Sequence, residues 1–393
     1  MTLRQKIIGQ TRLVVAQGVF SWLPQTEIWI YNQIKSLDSS IESHIICEFS
    51  TNLKQFALPN ILCLQKKYPI CYFYEKLLQK TGLHYHSGLL KRQMMSLRID
   101  ILHSHFANYA WFNQAAARAV QAKHVVTFYG FDVNMLPTQF PVWKRRYQEL
   151  FDSAILFLCE GPHMAQCIQK LGCPKDKILV HHLGVDVNNI RFEKRTWNGN
   201  DPFRILIAGT FQEKKGIPIA LETISQIRDV SVEITIIGDA TREKRSQDEK
   251  KRIMNAIKCF HLKSQVRLLG YQPYEVLIHE SYQHHLFLAT SKTASNGDTE
   301  GGAPVILMDM MAAGLPIVST RHCDIPEVIN HGETGLLADE GNADQLITHV
   351  RWFISQYNSH KRVEMTEKAR CNIEERFNTT RQGKELSEIY RSL

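Results

Sequence analysis

Between Ser295 and Asp309 the chain reads S-N-G-D-T-E-G-G-A-P-V-I-L-M-D, with two carboxylates, Glu300 and Asp309, on either side of a bend of small residues. The bend runs into an apolar helical pattern from Val305 to Ala313. A helix start carries unpaired N–H groups and a partial positive charge, which attract phosphate. Gly301 and Gly302 let a ligand approach the backbone closely. Carboxylates repel phosphate but accept hydrogen bonds from sugar hydroxyls. Phosphate donors beside hydroxyl acceptors are the chemistry of a nucleotide-sugar site, although a glycine-rich bend alone is a loose motif.

Metal and disulfide chemistry are not indicated. Nine cysteines are scattered without C-x-x-C spacing, and their odd number fits a reduced, cytoplasmic protein. Seventeen histidines form no H-E-x-x-H pattern, and the pairs His181–His182 and His284–His285 read as strand borders rather than ligands. No run of about 18 apolar residues is present, so no membrane-spanning helix is expected. The stretch Met1–Gln10 holds Arg4 and Lys6, and the apolar Leu13–Phe20 that follows, broken by Gln17, reads as a first strand rather than a signal peptide.

Charge is unevenly distributed. Residues 1–190 hold 20 Lys/Arg against 12 Asp/Glu, while residues 191–393 hold 27 of each, so the net +8 lies in the first half. Its concentrations are Lys66-Lys67, Lys76, Lys80, Lys91-Arg92, Arg98 and Lys144-Arg145-Arg146. Such a surface suits an anionic leaflet, an anionic lipid-linked acceptor or nucleic acid, or is simply a solvated basic face. Nucleic acid is disfavoured because no recognised fold or aromatic stacking module accompanies the charge.

Short apolar runs alternate with helical patterns, which is the α/β signature. Strands are expected at Leu13–Ala16, Ser43–Cys47, Ile101–His103, His124–Phe128, Ala154–Leu158 and Ile178–His182. A second series follows at Phe203–Ala208, Val232–Ile237, Gln265–Leu268, Leu286–Ala289 and Pro316–Ser319. Helices are expected at Asn113–Ala122, Pro162–Leu171, Ile217–Ile227, from Val305, and through Ala343–Leu393. With 393 residues the chain exceeds one core. Two doubly wound sheets facing a cleft are expected, with ligands at the carboxyl ends of their strands. No G-x-G-x-x-G follows the first strand, which weakens a dehydrogenase reading.

Several motifs in order then carry a resemblance: I-A-G-T-F-Q-E-K-K-G-I from Ile207, I-I-G-D from Ile236, V-R-L-L-G-Y from Val266, the block from Glu300 to Thr320, and I-P-E-V-I-N-H-G-E-T-G-L-L from Ile325. In the first half P-Q-T-E-I-W-I from Pro24, H-S-H-F-A from His103, T-F-Y-G-F-D-V from Thr127 and L-C-E-G-P-H-M from Leu158 contribute. The set resembles retaining glycosyltransferases of family 4 with the GT-B fold, in the subgroup of colanic-acid-type exopolysaccharide enzymes. This implies an acceptor-binding Rossmann-like domain over 1–190, a linker over 191–202, a donor-binding Rossmann-like domain over 203–375, and a C-terminal helix over 376–393 returning to the first domain.

The resemblance also implies roles. Lys215 matches the lysine that meets the donor diphosphate, with Gly209, Thr210, Lys214, Gly238 and Tyr271 on the donor side. Glu300 would bind donor-sugar hydroxyls, and Gly301, Gly302, Ala303 and Pro304 would present backbone to sugar and phosphate. Asp309 would take the acid position that holds the ribose. Tyr129 and Asp132, in Y-G-F-D, stand where relatives carry H-G-x-D beside the reacting carbon, so Lys215, Glu300, Asp132 and Tyr129 form the expected catalytic set. Gly18, in a loop after Leu13–Ala16, should border the acceptor. His105 is read as a cleft residue or a satisfied polar group at a strand end. Glu160 is read as facing the cleft or capping the following helix.

Three departures stand out: Thr210 in place of an arginine, Tyr129 in place of a histidine, and Asp309 for a glutamate at a spacing one residue longer than usual. The expected activity is transfer of a hexose from a nucleotide sugar, UDP- or GDP-linked, to a glycan acceptor, including one on a polyprenyl diphosphate. No metal and no cofactor are expected, and the location is cytoplasmic or peripheral on the inner membrane face. The alternative is a catalytically silent nucleotide-sugar sensor or partner subunit. A nucleotide-sugar epimerase is a weaker third reading.

Overall fold

A computed structural model describes residues 12–24, 27–81 and 87–393. The readings of Met1–Gln10 and of Gln25 and Thr26 lie outside the described residues. The chain divides into two compact units. The first holds the described residues up to Phe128 together with Arg145–Leu158 and Gln382–Leu393; the second holds Tyr129–Lys144 and Cys159–Arg381. The division therefore does not fall at one point near residue 190. The Tyr129–Asp132 motif and Glu160 belong with the second unit.

One sheet contains β1 (Leu13–Trp22), β2 (Ile41–Ser50), β3 (Ile61–Cys63), β4 (Ile101–His105), β5 (Lys123–Thr127), β6 (Leu156–Cys159) and β7 (Ile178–Val180), in the order β3-β2-β1-β4-β5-β6-β7. The other contains β8 (Phe203–Ala208), β9 (Val232–Ile237), β10 (Val266–Gly270), β11 (Leu286–Leu288), β12 (Ile317–Thr320) and β13 (Leu336–Ala338), in the order β10-β9-β8-β11-β12-β13. Pairing is parallel, as in β1 with β2 and β4, and in β8 with β9 and β11. Strands covered by helices on both faces read as continuous apolar runs, as β6 (L-F-L-C) and β11 (L-F-L) do, while β8 and β9 are interrupted by Arg204 and by Glu233 and Thr235. The order of the second sheet reverses between β8 and β11. That switch point is where an open α/β sheet leaves a crevice at its strand ends.

The core of the second unit lies on both sides of its sheet. One cluster centres on Phe203, Leu221, Ile253 and Phe353, and another on Leu307, Met310, Ile325 and Ile373. In the first unit, Leu386 and Tyr390 from the helix Thr379–Ser392 pack with Val15, Ile101 and Val125. Asp38 N–H also donates to Ser387 Oγ at 2.9 Å, so the chain end closes that unit.

Differences from the expected elements have physical causes. β1 runs on to Trp22, so Gly18 is a strand-interior residue paired with Ile46 and Ser104, not a loop residue. The three-residue strands β3 and β13 are too short to show a period. The polar stretch expected to link the halves is anchored in the second unit: Arg195 is buried and donates to the carbonyls of Glu193, Ala313 and Ser281. Its polarity reflects a buried guanidinium whose two Nη groups donate to backbone carbonyls, a pattern that composition alone does not separate from solvated linker. Among the described residues no helix is long and apolar enough to cross a membrane.

Candidate functional site

The site grows from the loops that leave β8 and β11, on either side of the switch point. After β8 the chain passes Gly209 and Thr210 into a tight turn, Glu213–Lys215, and then Gly216 starts the helix Ile217–Ser225. Gly216 holds φ +61°, and a Cβ there would lie 2.0 Å from the carbonyl oxygen of Thr290. Only glycine lets these two loops meet without strain. The meeting brings the lysines of one loop to the acids of the other.

Lys215 Nζ lies 2.9 Å from Glu300 Oε2, and Ser291 Oγ donates to Glu300 Oε1 at 2.7 Å. Lys214 Nζ donates to Asp298 Oδ1 at 3.2 Å and to the carbonyl of Thr299 at 2.9 Å. The Glu300 side chain is 6% exposed and that of Lys215 21%. Burial alone would raise the Glu300 carboxyl, but the charges of Lys215 and Lys214 and the bonds from Lys215 and Ser291 outweigh it and hold the group at about 2. Glu300 is therefore an anion held ready to accept hydrogen bonds.

A second anchor fixes the Glu300 backbone. Its N–H donates to His322 Nε2 at 3.1 Å, and His322 Nδ1 lies 2.6 Å from Glu340 Oε1. A backbone N–H can only donate, so Nε2 is the acceptor and Nδ1 carries the proton toward Glu340. Cys323 Sγ is also 3.2 Å from Nε2. Glu340 is completed by Thr293 N–H at 2.8 Å.

The Tyr129–Asp132 motif packs against this loop within the same unit. A Cβ on Gly130 would lie 2.4 Å from the carbonyl oxygen of Glu300, and one on Gly301, at φ +79°, would lie 2.3 Å from Gly130 Cα. The two backbones touch. Asn134 Nδ2 adds a bond to Thr299 Oγ1 at 2.7 Å. Asp132 is buried, and its Oδ1 accepts the Tyr129 N–H at 2.7 Å, so that carboxylate closes its own turn. The Tyr129 ring is buried as well. The motif thus stands beside Glu300 through its glycine backbone, with its two named side chains buried.

Glu160 lies against Gly302, whose added Cβ would meet Glu160 Oε2 at 2.0 Å. Burial, then the neighbouring charges of Asp324, Asp132 and Glu300, push this carboxyl well above the ordinary carboxylate range. The two carboxyls, one just past β6 and one on the loop after β11, are thus pushed in opposite directions, Glu160 toward its neutral form and Glu300 toward its anion. Capping of the helix Pro162–Lys170 falls instead to Asp324, which accepts the N–H groups of His163 at 2.7 Å and Met164 at 3.2 Å.

The helix Val305–Ala312 follows Ala303 and Pro304 and has no side chain capping its start. Its second turn carries Asp309, only 4% exposed, whose Oδ1 accepts the Tyr274 hydroxyl at 2.8 Å. Burial raises this carboxyl to about 7, against a smaller lowering by the Tyr274 bond. Gly238 closes the floor beside Gly209: Gly209 N–H donates to Ile237 O at 2.9 Å and Gly238 N–H to Gly270 O at 2.8 Å. Tyr271, just past β10, is exposed.

The two other residues expected on the acceptor side, His105 and Gly18, lie in the first unit. His105 is wholly buried, stacks on His103 at 4.4 Å and bonds Gln17 Oε1 through Nε2 at 3.1 Å; burial lowers it to about 3. His105 stands at the end of its strand in a buried hydrogen-bonded group with Gln17, which is joined through Tyr390 to His103. Gly18 sits in β1 with Leu102 and Ser104 within 3.4 Å of an added Cβ, so it makes room for those side chains. Sequence reasoning missed Ser291, His322, Glu340, Tyr274 and Asp324. Each is joined to the site by hydrogen bonds to residues at least 9 positions away in the chain, and no local pattern announces such bonds. The histidine pairs border strands as expected, with His285 Nδ1 accepting Arg204 N–H at 2.9 Å. Among the described residues no group of three His, Cys, Asp or Glu is placed to hold a metal ion.

Known proteins share both the sequence and the fold. The family model described as glycosyl transferases group 1 matches residues 189–371, and that described as glycosyltransferase family 4 matches residues 26–189. The chain is 30% identical over 302 residues to WcaL of Escherichia coli (strain K12), named as a colanic acid biosynthesis glycosyltransferase; the match covers 75% of this chain and 71% of that one. It is 32% identical over 278 residues to the amylovoran biosynthesis glycosyltransferase AmsK of Erwinia amylovora, covering 70% of this chain and 65% of that one. In fold it is similar to Anabaena Alr3699/HepE, solved with UDP and glucose, at a TM-score of 0.77 and 16% identity over 97% of this chain and 100% of that one. A glycosyltransferase from Rickettsia africae ESF-5 matches at a TM-score of 0.75 and 16% identity over 97% and 98%. With two parallel α/β sheets, the ordered motifs and these relatives, the chain belongs to the GT-B-fold glycosyltransferases of family 4, in the exopolysaccharide group.

Proposed function

We propose that this protein transfers a hexose, with retention, from a UDP- or GDP-linked donor to a glycan acceptor in exopolysaccharide assembly. The observation that carries the reading is the Lys215–Glu300 pair, a buried anion and its cation set before an uncapped helix start. When a donor binds, its diphosphate competes for the Lys215 ammonium, and the Glu300 carboxylate becomes available to sugar hydroxyls. Charge grows on the diphosphate as the C1–O bond breaks, and Lys215 with the N–H groups before Val305 stabilises it. The acceptor oxygen bonds to C1 on the face the diphosphate leaves, and its proton passes to a diphosphate oxygen. That route needs no protein nucleophile, no metal and no cofactor.

Two relatives named for colanic acid and amylovoran biosynthesis, and a fold relative solved with UDP and glucose, support this substrate class. The acceptor is read as glycan on a polyprenyl diphosphate, with the basic first half meeting an anionic leaflet from the cytoplasmic side. A second reading, a nucleotide-sugar binder without turnover, is favoured by one observation: Asp309, in the ribose-binding position, is buried against Tyr274. A thermal-shift screen of UDP-, GDP- and ADP-sugars, followed by mass spectrometry of transfer products, separates the two. Donor-dependent stabilisation with a hexose-extended product is expected. Stabilisation with neither hydrolysis nor transfer across a panel of acceptors would favour the silent binder.

A further inference from the structure

The helix Pro69–Lys80 is amphipathic in the reverse sense. An apolar stripe normally faces the core and polar side chains face water. Here Ile70, Phe73, Tyr74, Leu77 and Leu78, spaced i, i+3, i+4, i+7 and i+8, are 71%, 65%, 61%, 47% and 43% exposed. The opposite face is anchored to the protein by polar groups. Tyr72 hydroxyl donates to Glu48 Oε2 at 2.7 Å, Lys76 Nζ to Glu48 Oε1 at 2.7 Å, and Glu75 Oε2 accepts Leu89 N–H at 2.9 Å. These bonds fix the rotation of the helix about its axis, so the stripe cannot turn inward. Phe73 and Tyr74 pack on each other edge to face at 6.0 Å, which keeps a contiguous aromatic ridge outermost. Five large apolar side chains on one exposed face mark an interaction surface.

The charges around the stripe point to the partner. Lys66 and Lys67 stand exposed before it, Lys80 at its end, and Lys91 and Arg92 are exposed on the next helix, Gly88–Leu97. Between Ile61 and Thr81 the single acid is Glu75, and it is turned inward to Leu89. An apolar ridge with aromatic side chains, bounded by lysines and free of outward acids, matches the interface of an anionic bilayer, where rings sit at headgroup level and lysines meet lipid phosphates. We propose that Pro69–Lys80 lies in the plane of an anionic membrane, with Ile70, Phe73, Tyr74, Leu77 and Leu78 in the acyl boundary and Lys66, Lys67 and Lys80 at the headgroups. The proposal rests on the reading of an anionic leaflet as partner and names the segment that reaches it.

Flotation of the full chain with vesicles of phosphatidylcholine, with and without 30% phosphatidylglycerol, tests it. Binding to the anionic vesicles alone is expected, weakening in high salt and by about fivefold for each of Lys66→Gln, Lys67→Gln and Lys80→Gln. The triple variant Ile70→Ser/Phe73→Ser/Tyr74→Ser should float no longer, while its melting temperature and its stabilisation by a nucleotide sugar stay as in the parent. Phe73→Trp should be quenched by brominated lipid beyond the parent's own tryptophans. A triple variant that still floats with anionic vesicles overturns the assignment of this helix and leaves the leaflet reading standing. A parent that ignores anionic vesicles but forms a dimer in sedimentation velocity, lost in the triple variant, overturns both and assigns the stripe to a second copy. Neither outcome touches the donor site, which the nucleotide-sugar stabilisation reads separately.

Discussion

Lys215 Nζ and Glu300 Oε2 stand 2.9 Å apart, and the pair joins the loop after β8 to the loop after β11. The ion pair is a bond within the protein that a diphosphate can replace, because an ammonium serves either oxyanion. Lys214 is committed elsewhere, to Asp298 and Thr299, so it holds the acid loop while Lys215 remains the cation facing Glu300. This division of labour bears on Thr210, where the resemblance leads one to expect an arginine: under the proposed function Lys214 would clamp the loop and Lys215 would meet the phosphate.

Lys215→Ala should lower kcat by about 10²–10³, the usual loss when one group stabilising a developing oxyanion is removed. Lys214→Ala should act through loop order and raise KM more than it lowers kcat. Steady-state kinetics with the donor identified by thermal shift check both. Equal losses in the two variants would contradict the separate roles.

Asp309 gives a pH dependence. Its carboxyl is raised by burial to about 7 in the fold, against roughly 3.9 in an unfolded chain. Below pH ~4 the group is protonated in both states and the fold is fully favoured. As pH rises toward and through 7 the fold must either keep the proton or bury a charge, and that stability is lost. Asp309→Asn should remove this loss, up to about 4 kcal/mol by pH 8. Chemical denaturation of both forms from pH 4 to 8 measures it: the curves should diverge as pH rises, with the asparagine form the more stable.

The sheets and the order of motifs were legible because buried parallel strands write largely apolar runs, broken in β8 and β9 only by isolated polar residues, and helices such as Pro162–Lys170 announce their start with proline. The Lys215 and Glu300 loops were legible for a related reason: each follows directly from a strand end at a switch point. Side-chain direction was not. Nothing local distinguishes a buried His105 from one facing a ligand, since its partners Gln17 and His103 are set by strand register. Arg195 misled in the same way, because its carbonyl partners come from residues far along the chain. His322 and Glu340 were invisible for want of any spacing rule linking them to Glu300.

The His322–Glu340 pair should act on the site as a unit. His322→Ala leaves the buried Glu300 N–H unpaired, an expected cost of about 1–3 kcal/mol that loosens the loop. Glu340→Gln keeps an acceptor for the His322 proton and should cost less. The double variant should cost less than the sum, because the two residues share one chain of bonds. A double-mutant cycle on kcat/KM and on stability measures the coupling, and strict additivity would separate the two residues.

Gly130→Ala tests the backbone contact between the Tyr129–Asp132 turn and the Glu300 loop. Gly130 sits at φ −64°, a conformation alanine adopts freely, so any effect comes from the added methyl and not from backbone strain. That methyl would lie 2.4 Å from the Glu300 carbonyl oxygen, inside any tolerable contact, and one of the two loops must move. The moving part is expected to be the Glu300 loop, because Asp132 Oδ1 and the Tyr129 N–H lock the other turn. A shift of about 1 Å in a positioned group costs on the order of 10²-fold in rate. Gly130→Ala should therefore lose about two orders of magnitude in kcat with a melting temperature only a few degrees lower. Unchanged kcat would show that the two loops move together and that their contact does not set the position of Glu300.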